Sequence, residues 1–259
     1  MMMKKHTLLI ATVLSAAALS STPGGAADNI VLGTEGAYAP FNGVDRQGRV
    51  FGFDVDIGNA LCAAMKADCT WVTQEWDGMI PALLAKKYDA IVASMTINDE
   101  RRRKIDFTDK YYSSPISFVR IKGSGIAVDD ASIKGKRIGV QSSTVAENFV
   151  RGAYGDAVEV KAYGTQDEAN LDLRSGRVDL IAADTFVVLD FVNNADNRAE
   201  FVGPRFADPQ YVGDGIGIGV RKEDTALRDR LNRAIAQIRA DGTYQRINAK
   251  YFPFDIFGD

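Results

Sequence analysis

Lys136-Arg137-Ile138-Gly139-Val140-Gln141-Ser142-Ser143-Thr144-Val145-Ala146-Glu147-Asn148-Phe149-Val150 packs a strand, a polar turn and a helix start into one short run. The apolar, β-branched residues Ile138 and Val140 predict a strand over 136–140. Thr144-x-x-Glu147 is the pattern of a capping box, so a helix begins at Thr144. The unit then recurs. A strand over 158–163 precedes a second box, Thr165-x-x-Glu168, and an apolar strand over 178–182 precedes a helix near 185–192. Strands alternating with helices in this way argue for a mostly parallel α/β sheet.

Upstream, a separate series has the same rhythm. A strand over 29–33 and a turn-rich segment over 34–48 lead to Phe53-Asp54, where Ile57, Leu61, Ala64 and Met65 repeat at helical spacing, with Asp54 or Asp56 near the helix start. Thr70-Trp71-Val72 reads as a strand, and Asp77 opens a helix carrying Ile80, Leu83 and Leu84. Pro81 falls in its first turns, where a missing N–H is tolerated. Residues 88–93 make a third strand. Tyr111-Tyr112-Ser113-Ser114-Pro115 separates this series from the one after it. A strand over 213–220 and a helix capped by Asp224, bearing Leu227, Leu231, Ala234 and Ile238 and ended by Gly242, complete the chain. Two series in 259 residues of 46% apolar composition suit two α/β lobes, each with its own core.

The N-terminus sets the compartment. Lys4 and Lys5 precede an apolar run over 8–19 and the small residues Gly25-Ala26-Ala27, which reads as a signal peptide over 1–27 cut before Asp28. The run is too short to span a bilayer, and no later stretch approaches the roughly 20 apolar residues a membrane helix needs. The first Cys is Cys62, so a lipid anchor is not expected and a freely diffusing periplasmic protein is. Cys62 and Cys69 are the only cysteines, and an even count in an oxidising compartment reads as one disulfide. Two buried thiols remain open, and a metal pair fits less well without nearby His.

Cleavage removes two Lys and no acid, taking the formal net charge two units below the -3 of the full chain. An acidic surface argues against nucleic acid and anionic membrane as partners. The only His is His6, inside the leader, so the mature chain has no imidazole for Ser-His-Asp, Cys-His or His-based metal chemistry. No catalytic residue, cofactor or metal is expected.

Seven motifs then occur in one order: Gly33-Thr34-Glu35-Gly36-Ala37-Tyr38-Ala39-Pro40-Phe41; Gly52-Phe53-Asp54-Val55-Asp56; Asp77-Gly78-Met79-Ile80-Pro81-Ala82-Leu83; Ser94-Met95-Thr96-Ile97 with Arg101; Asp106-Phe107-Thr108; Lys134-Gly135-Lys136-Arg137-Ile138-Gly139-Val140; and Arg239-Ala240-Asp241-Gly242-Thr243-Tyr244. In this order the chain resembles, over residues 28–259, the polar amino-acid-binding proteins of bacterial ABC importers, and within them the branch for lysine, arginine, ornithine and histidine with its octopine- and nopaline-binding relatives. The resemblance implies a two-lobed periplasmic-binding-protein fold with a ligand cleft and a two-strand hinge. Lobe 1 would comprise 28–113 and a return segment over 212–259, with lobe 2 over 114–211. It implies a monomer that captures a basic L-amino acid, or alternatively an arginine-derived opine, and delivers it to a membrane permease.

An α-amino acid presents a carboxylate, an ammonium and a side chain, so its site needs a cation with N–H donors, an anion and a shaped pocket. Arg101 can meet a carboxylate with two parallel bonds. Local sequence leaves it level with Arg102 and Arg103, and the resemblance selects Arg101. The helix start at Thr144 offers N–H groups and the positive end of a helix dipole to the same carboxylate. Gln141, Ser142, Ser143 and Thr144 form the polar loop there. Val145 stands where relatives often carry a hydroxyl, so a backbone contact is expected from it. Ser94 and Thr96 belong to the loop before Arg101, and Ala93 with Gly36 leaves room for a larger ligand. Asp184 ends a strand where α/β ligands bind and, by the resemblance, takes the ammonium; it could also cap a helix after Thr185. Tyr38 and Trp76 would sleeve the side chain, with Glu35 near its distal cation. Two further readings stay open. A periplasmic dehydratase on the same fold would use Glu35 or Asp184 as acid or base. A sensor or channel domain is not favoured, because the sequence stops at residue 259 without a membrane span.

Overall fold

The computed structural model describes residues 28–258, so the leader read over 1–27 lies outside the described residues. Two five-stranded sheets organise the chain. The first has the spatial order Asp68–Thr73, Asn29–Thr34, Ala90–Ile91, Gly219–Val220, Asp106–Phe107, and the second Glu159–Tyr163, Arg137–Gln141, Leu180–Asp184, Ile116–Ile121, Ala199–Phe206. In each, the strands foreseen from the strand-helix alternation pair in parallel. Gly219–Val220 enters the first sheet antiparallel to both neighbours. Ile116–Ile121 lies antiparallel to Leu180–Asp184 and to Ala199–Phe206.

Alternate residues of a strand face opposite sides of its sheet, so a strand that is apolar throughout is buried on both faces. Leu180 and Ala182 pack into one core of the second sheet while Ile181 and Ala183 pack into the other. Ile30 and Leu32 likewise face one core of the first sheet, and Val31 packs against the other. The molecule is two-lobed. Its connecting segments run side by side: the Tyr111 N–H donates to the Ile216 carbonyl and the Ile216 N–H to the Tyr112 carbonyl, each at 2.8 Å. Gly213 lies beside this crossing with φ +60°, and a Cβ there would stand 2.1 Å from the Ile97 carbonyl oxygen, so only glycine fits.

Several elements differ from their sequence reading. The turn-rich segment after Thr34 contains a small sheet of Ala37–Tyr38, Asn42–Val44 and Val50–Phe51. The strand read over 213–220 shrinks to Gly219–Val220, because the chain before it serves the crossing. The helix read near 185–192 begins only at Leu189, after a turn, so Asp184 does not cap it. Thr165 and Glu168 form the full reciprocal box, whereas Glu147 accepts from the Ser143 N–H instead of that of Thr144. The reason is local: Ser143 adopts left-handed φ of 56°, which turns its own N–H toward the Glu147 carboxylate. Cys62 and Cys69 are joined as a disulfide, with Cα atoms 6.1 Å apart. It ties the end of helix Phe53–Met65 to the edge strand Asp68–Thr73.

Candidate functional site

Between the lobes lies a small cavity lined from both sides. Glu35, Tyr38, Trp76, Ser94, Thr96 and Arg101 line it from the first lobe, and Gln141, Thr144, Val145 and Asp184 from the second. Strand ends deliver its two carboxylates and Gln141. Glu35 follows Asn29–Thr34, Gln141 ends Arg137–Gln141, and Asp184 ends Leu180–Asp184, each where an α/β sheet opens toward its ligand.

Arg101 sits on the four-residue helix Asp99–Arg102, whose cap Asn98 accepts from the Arg101 N–H. That turn buries Arg101 to 8% exposure and leaves Arg102 and Arg103 outside. Its Nη1 donates to the Thr96 carbonyl at 2.9 Å and its Nη2 to the Ser143 carbonyl across the cleft at 3.1 Å. Burial lowers its pKa to about 10, with Asp184 acting in the opposite sense. Trp76 stands face-on to this guanidinium, 5.2 Å from its ring centroid, and its Nε1 donates to the same Ser143 carbonyl. Trp76 therefore supports Arg101 as well as walling the cavity. Ser143 contributes through this backbone oxygen; its side chain is exposed.

Asp184 accepts from the Tyr38 hydroxyl at 3.1 Å. Burial raises its pKa to about 7, against the lowering effects of Tyr38 and Arg101. Glu35 accepts from Gln141 Nε2 at 2.7 Å and is likewise raised to about 7 by burial, with Asp167 and Asp77 adding to the rise. The second Nε2 hydrogen of Gln141 goes to the Gly164 carbonyl at 3.2 Å. Both neighbours are acceptors, which fixes the orientation of the amide. The cavity thus gathers two carboxylates and one guanidinium, an excess of negative charge when all are ionised.

Val145 and Ala146 begin helix Val145–Tyr154 behind the cap Thr144, so first-turn N–H groups face the cavity beside Arg101. Among the sequence-predicted residues, Ala93 stands apart: it packs in the first lobe's core, and the adjacent Ser94 reaches the cavity. Sequence reasoning missed Ala146, Gln166 and Ala183, which also line it. Gln166 had one signal, its place directly after the Thr165 cap. Asp54 was read only as a helix-start acid. Fully buried, it accepts from Asn42, Ser94 and Tyr111 at 3.0, 2.8 and 2.7 Å. It thereby holds Ser94 in its left-handed conformation and, through Asn42, the Gly36 N–H beside Glu35. Among the described residues no cluster of three or more His, Cys, Asp or Glu could hold a metal ion, and no helix is long and apolar enough to cross a membrane.

Two α/β lobes closing a charged cavity between the ends of their strands define a cleft-type solute-binding protein. The chain belongs to the bacterial extracellular solute-binding proteins, family 3, whose model matches residues 30–254. It is 46% identical over 260 residues to the L-arginine-binding protein of Pseudomonas aeruginosa, covering 99% of each. It is 36% identical to the lysine/arginine/ornithine-binding periplasmic protein of Escherichia coli, covering 99% of this chain and 100% of the relative. Among solved structures it resembles a Salmonella typhimurium periplasmic binding protein described for high arginine specificity, with a TM-score of 0.80, 31% identity, and coverage of 87% of this chain and 100% of that one. The relatives it matches are solute-binding proteins rather than enzymes.

Proposed function

We propose that this protein is the periplasmic receptor of an ABC importer for basic L-amino acids, exported by the leader over 1–27 and acting as a monomer on a membrane permease. Lobe 1 is formed by 28–113 and 212–259, lobe 2 by 114–211. The observation that carries the reading is charge balance: two buried carboxylates face one buried guanidinium in a single cavity. A ligand with one carboxylate and two cations complements that set, and a neutral amino acid would strand a carboxylate. Arg101 and the helix start at Thr144, Val145 and Ala146 receive the ligand carboxylate, Asp184 the ammonium, and Glu35 the distal cation. Tyr38, Trp76, Ser94, Thr96 and Gln141 shape the space between. The relatives named for arginine, lysine and ornithine support the same ligand class. The Glu35–Gln141 bond spans the cleft at the distal end, which suits a free amino acid better than a longer opine.

Calorimetry with arginine, lysine, ornithine, glutamine and octopine tests this. Wild-type protein is expected to prefer the basic amino acids. Glu35→Gln keeps the shape and removes the charge, and should weaken their binding by about 2 kcal/mol while glutamine binding changes less. A wild-type preference for glutamine that survives Glu35→Gln would defeat the proposal.

A further inference from the structure

Asp184 is held from inside the cavity by Tyr38 and from outside by a second route. The Thr185 N–H donates to the Pro115 carbonyl at 2.8 Å, and Thr185 Oγ1 stands 2.6 Å from Ser117 Oγ. The side chains of the next two residues, Phe186 and Val187, reach from the second lobe into the main core of the first. The Phe186 ring lies 5.8 Å from Phe252 and 5.4 Å from Phe254, both in the C-terminal segment. Phe252 lies 5.5 Å from Phe41, and Phe41 lies 6.5 Å from Tyr38, whose hydroxyl returns to Asp184. The contacts close a circuit across the two lobes.

The C-terminal segment is itself anchored. Asn248 donates to the Phe254 carbonyl at 2.7 Å and accepts from the Ile256 N–H at 3.2 Å. The Ser113 N–H, at the first crossing, donates to the Ile256 carbonyl at 2.9 Å. Phe254 is nonetheless 43% exposed, so part of a large apolar ring is left in water. None of Phe186, Phe252 and Phe254 lines the cavity.

We propose that Phe252 and Phe254 clasp Phe186 across the lobes and thereby position Asp184 for the ligand's α-ammonium. The three rings are positioning residues for binding. This rests on the reading that Asp184 meets the ammonium. The physical basis is that a charged group recognises a ligand only while packing holds it close to its productive place, and Phe186 is two positions from Asp184. Ring separations in this circuit lie in the range where aromatic pairs stabilise one another.

The test is calorimetry of wild type, Phe254→Ala and Phe186→Leu with arginine and with 5-guanidinopentanoate, which lacks the α-ammonium. Phe254 is partly exposed and Phe186→Leu keeps an apolar side chain, so at least one variant folds. Each is expected to weaken arginine binding about three- to tenfold. The analogue, with nothing to offer Asp184, should change less than about twofold, so discrimination between the two ligands falls. A merely structural role would lower the melting temperature and leave that ratio alone. An unchanged ratio, or equal losses for both ligands, overturns the clasp. Failure of wild-type protein to bind arginine, lysine or ornithine is read before any variant and overturns the proposed function, and the clasp with it.

Discussion

Glu35 and Asp184 share an electrostatic predicament. Each is a carboxyl removed from water, and burial raises each to about 7. A carboxyl whose pKa rises on folding keeps its proton in the native state. Its contribution to stability is fully present below the unfolded value of about 4 and is lost as pH rises through about 7. Capture of a basic ligand runs in the opposite direction, since an ammonium or guanidinium favours the ionised carboxylates. Ligand uptake near neutral pH should therefore expel protons. Titrations at pH 7 in buffers of different ionisation enthalpy are expected to report release of roughly half to one proton per ligand, and affinity should fall at least about tenfold between pH 7 and pH 5.5. Binding without proton exchange at pH 7 would mean that both carboxyls are already ionised. Asp54 is a contrasting case. Burial raises its pKa too, but three side-chain donors oppose that rise, and it works as a hub rather than as a ligand contact.

At the scale of elements, helix Val145–Tyr154 was legible from Thr144 and Glu147, because caps act within a few residues. The details of the box were not, since the Ser143 conformation that redirects Glu147 serves the cleft, where the Ser143 carbonyl receives Arg101 and Trp76. Short elements were hardest to read. Asp106–Phe107 went unread because two residues are too few for a period to show, and the strands read over 88–93 and 213–220 contract to Ala90–Ile91 and Gly219–Val220, where neighbours pair with them. The Cys62–Cys69 bridge also acts at this scale, closing a short loop between a helix and an edge strand. Replacing both cysteines with alanine should lower stability in urea by about 1 to 3 kcal/mol. Affinity should stay within about twofold, since neither residue lines the cavity. A larger loss of affinity than of stability would show that the bridge shapes the cleft.

In the whole molecule, Arg101 is a buried cation that bonds to both lobes beside the cavity. Its guanidinium touches Thr96 of one lobe and Ser143 of the other. Arg101→Ala is expected to weaken ligand binding by about 2 to 5 kcal/mol, the usual cost of leaving a buried partner charge unpaired. Arg102 pairs at the surface with Asp214, and Arg103 is exposed. Alanine at either should change binding by less than about 1 kcal/mol. Calorimetry on the three variants decides it, and equal losses at all three would remove Arg101 from the site. From its sequence alone the chain declared its two α/β series, its cysteine pair, the absence of imidazole after His6, and its family. These are matters of local propensity, capping, composition and ordered motifs, which need no knowledge of distance. Local residues left Arg101 level with Arg102 and Arg103 and only the family's motifs selected it, whereas tertiary structure alone decided that Glu35 meets Gln141 at a separation of 106 positions and Tyr38 meets Asp184 at 146, and that the C-terminal segment returns to Phe186. Desolvation and charge coupling sum over whatever surrounds a group in space, and residues far apart along the chain supply those surroundings only once it has folded.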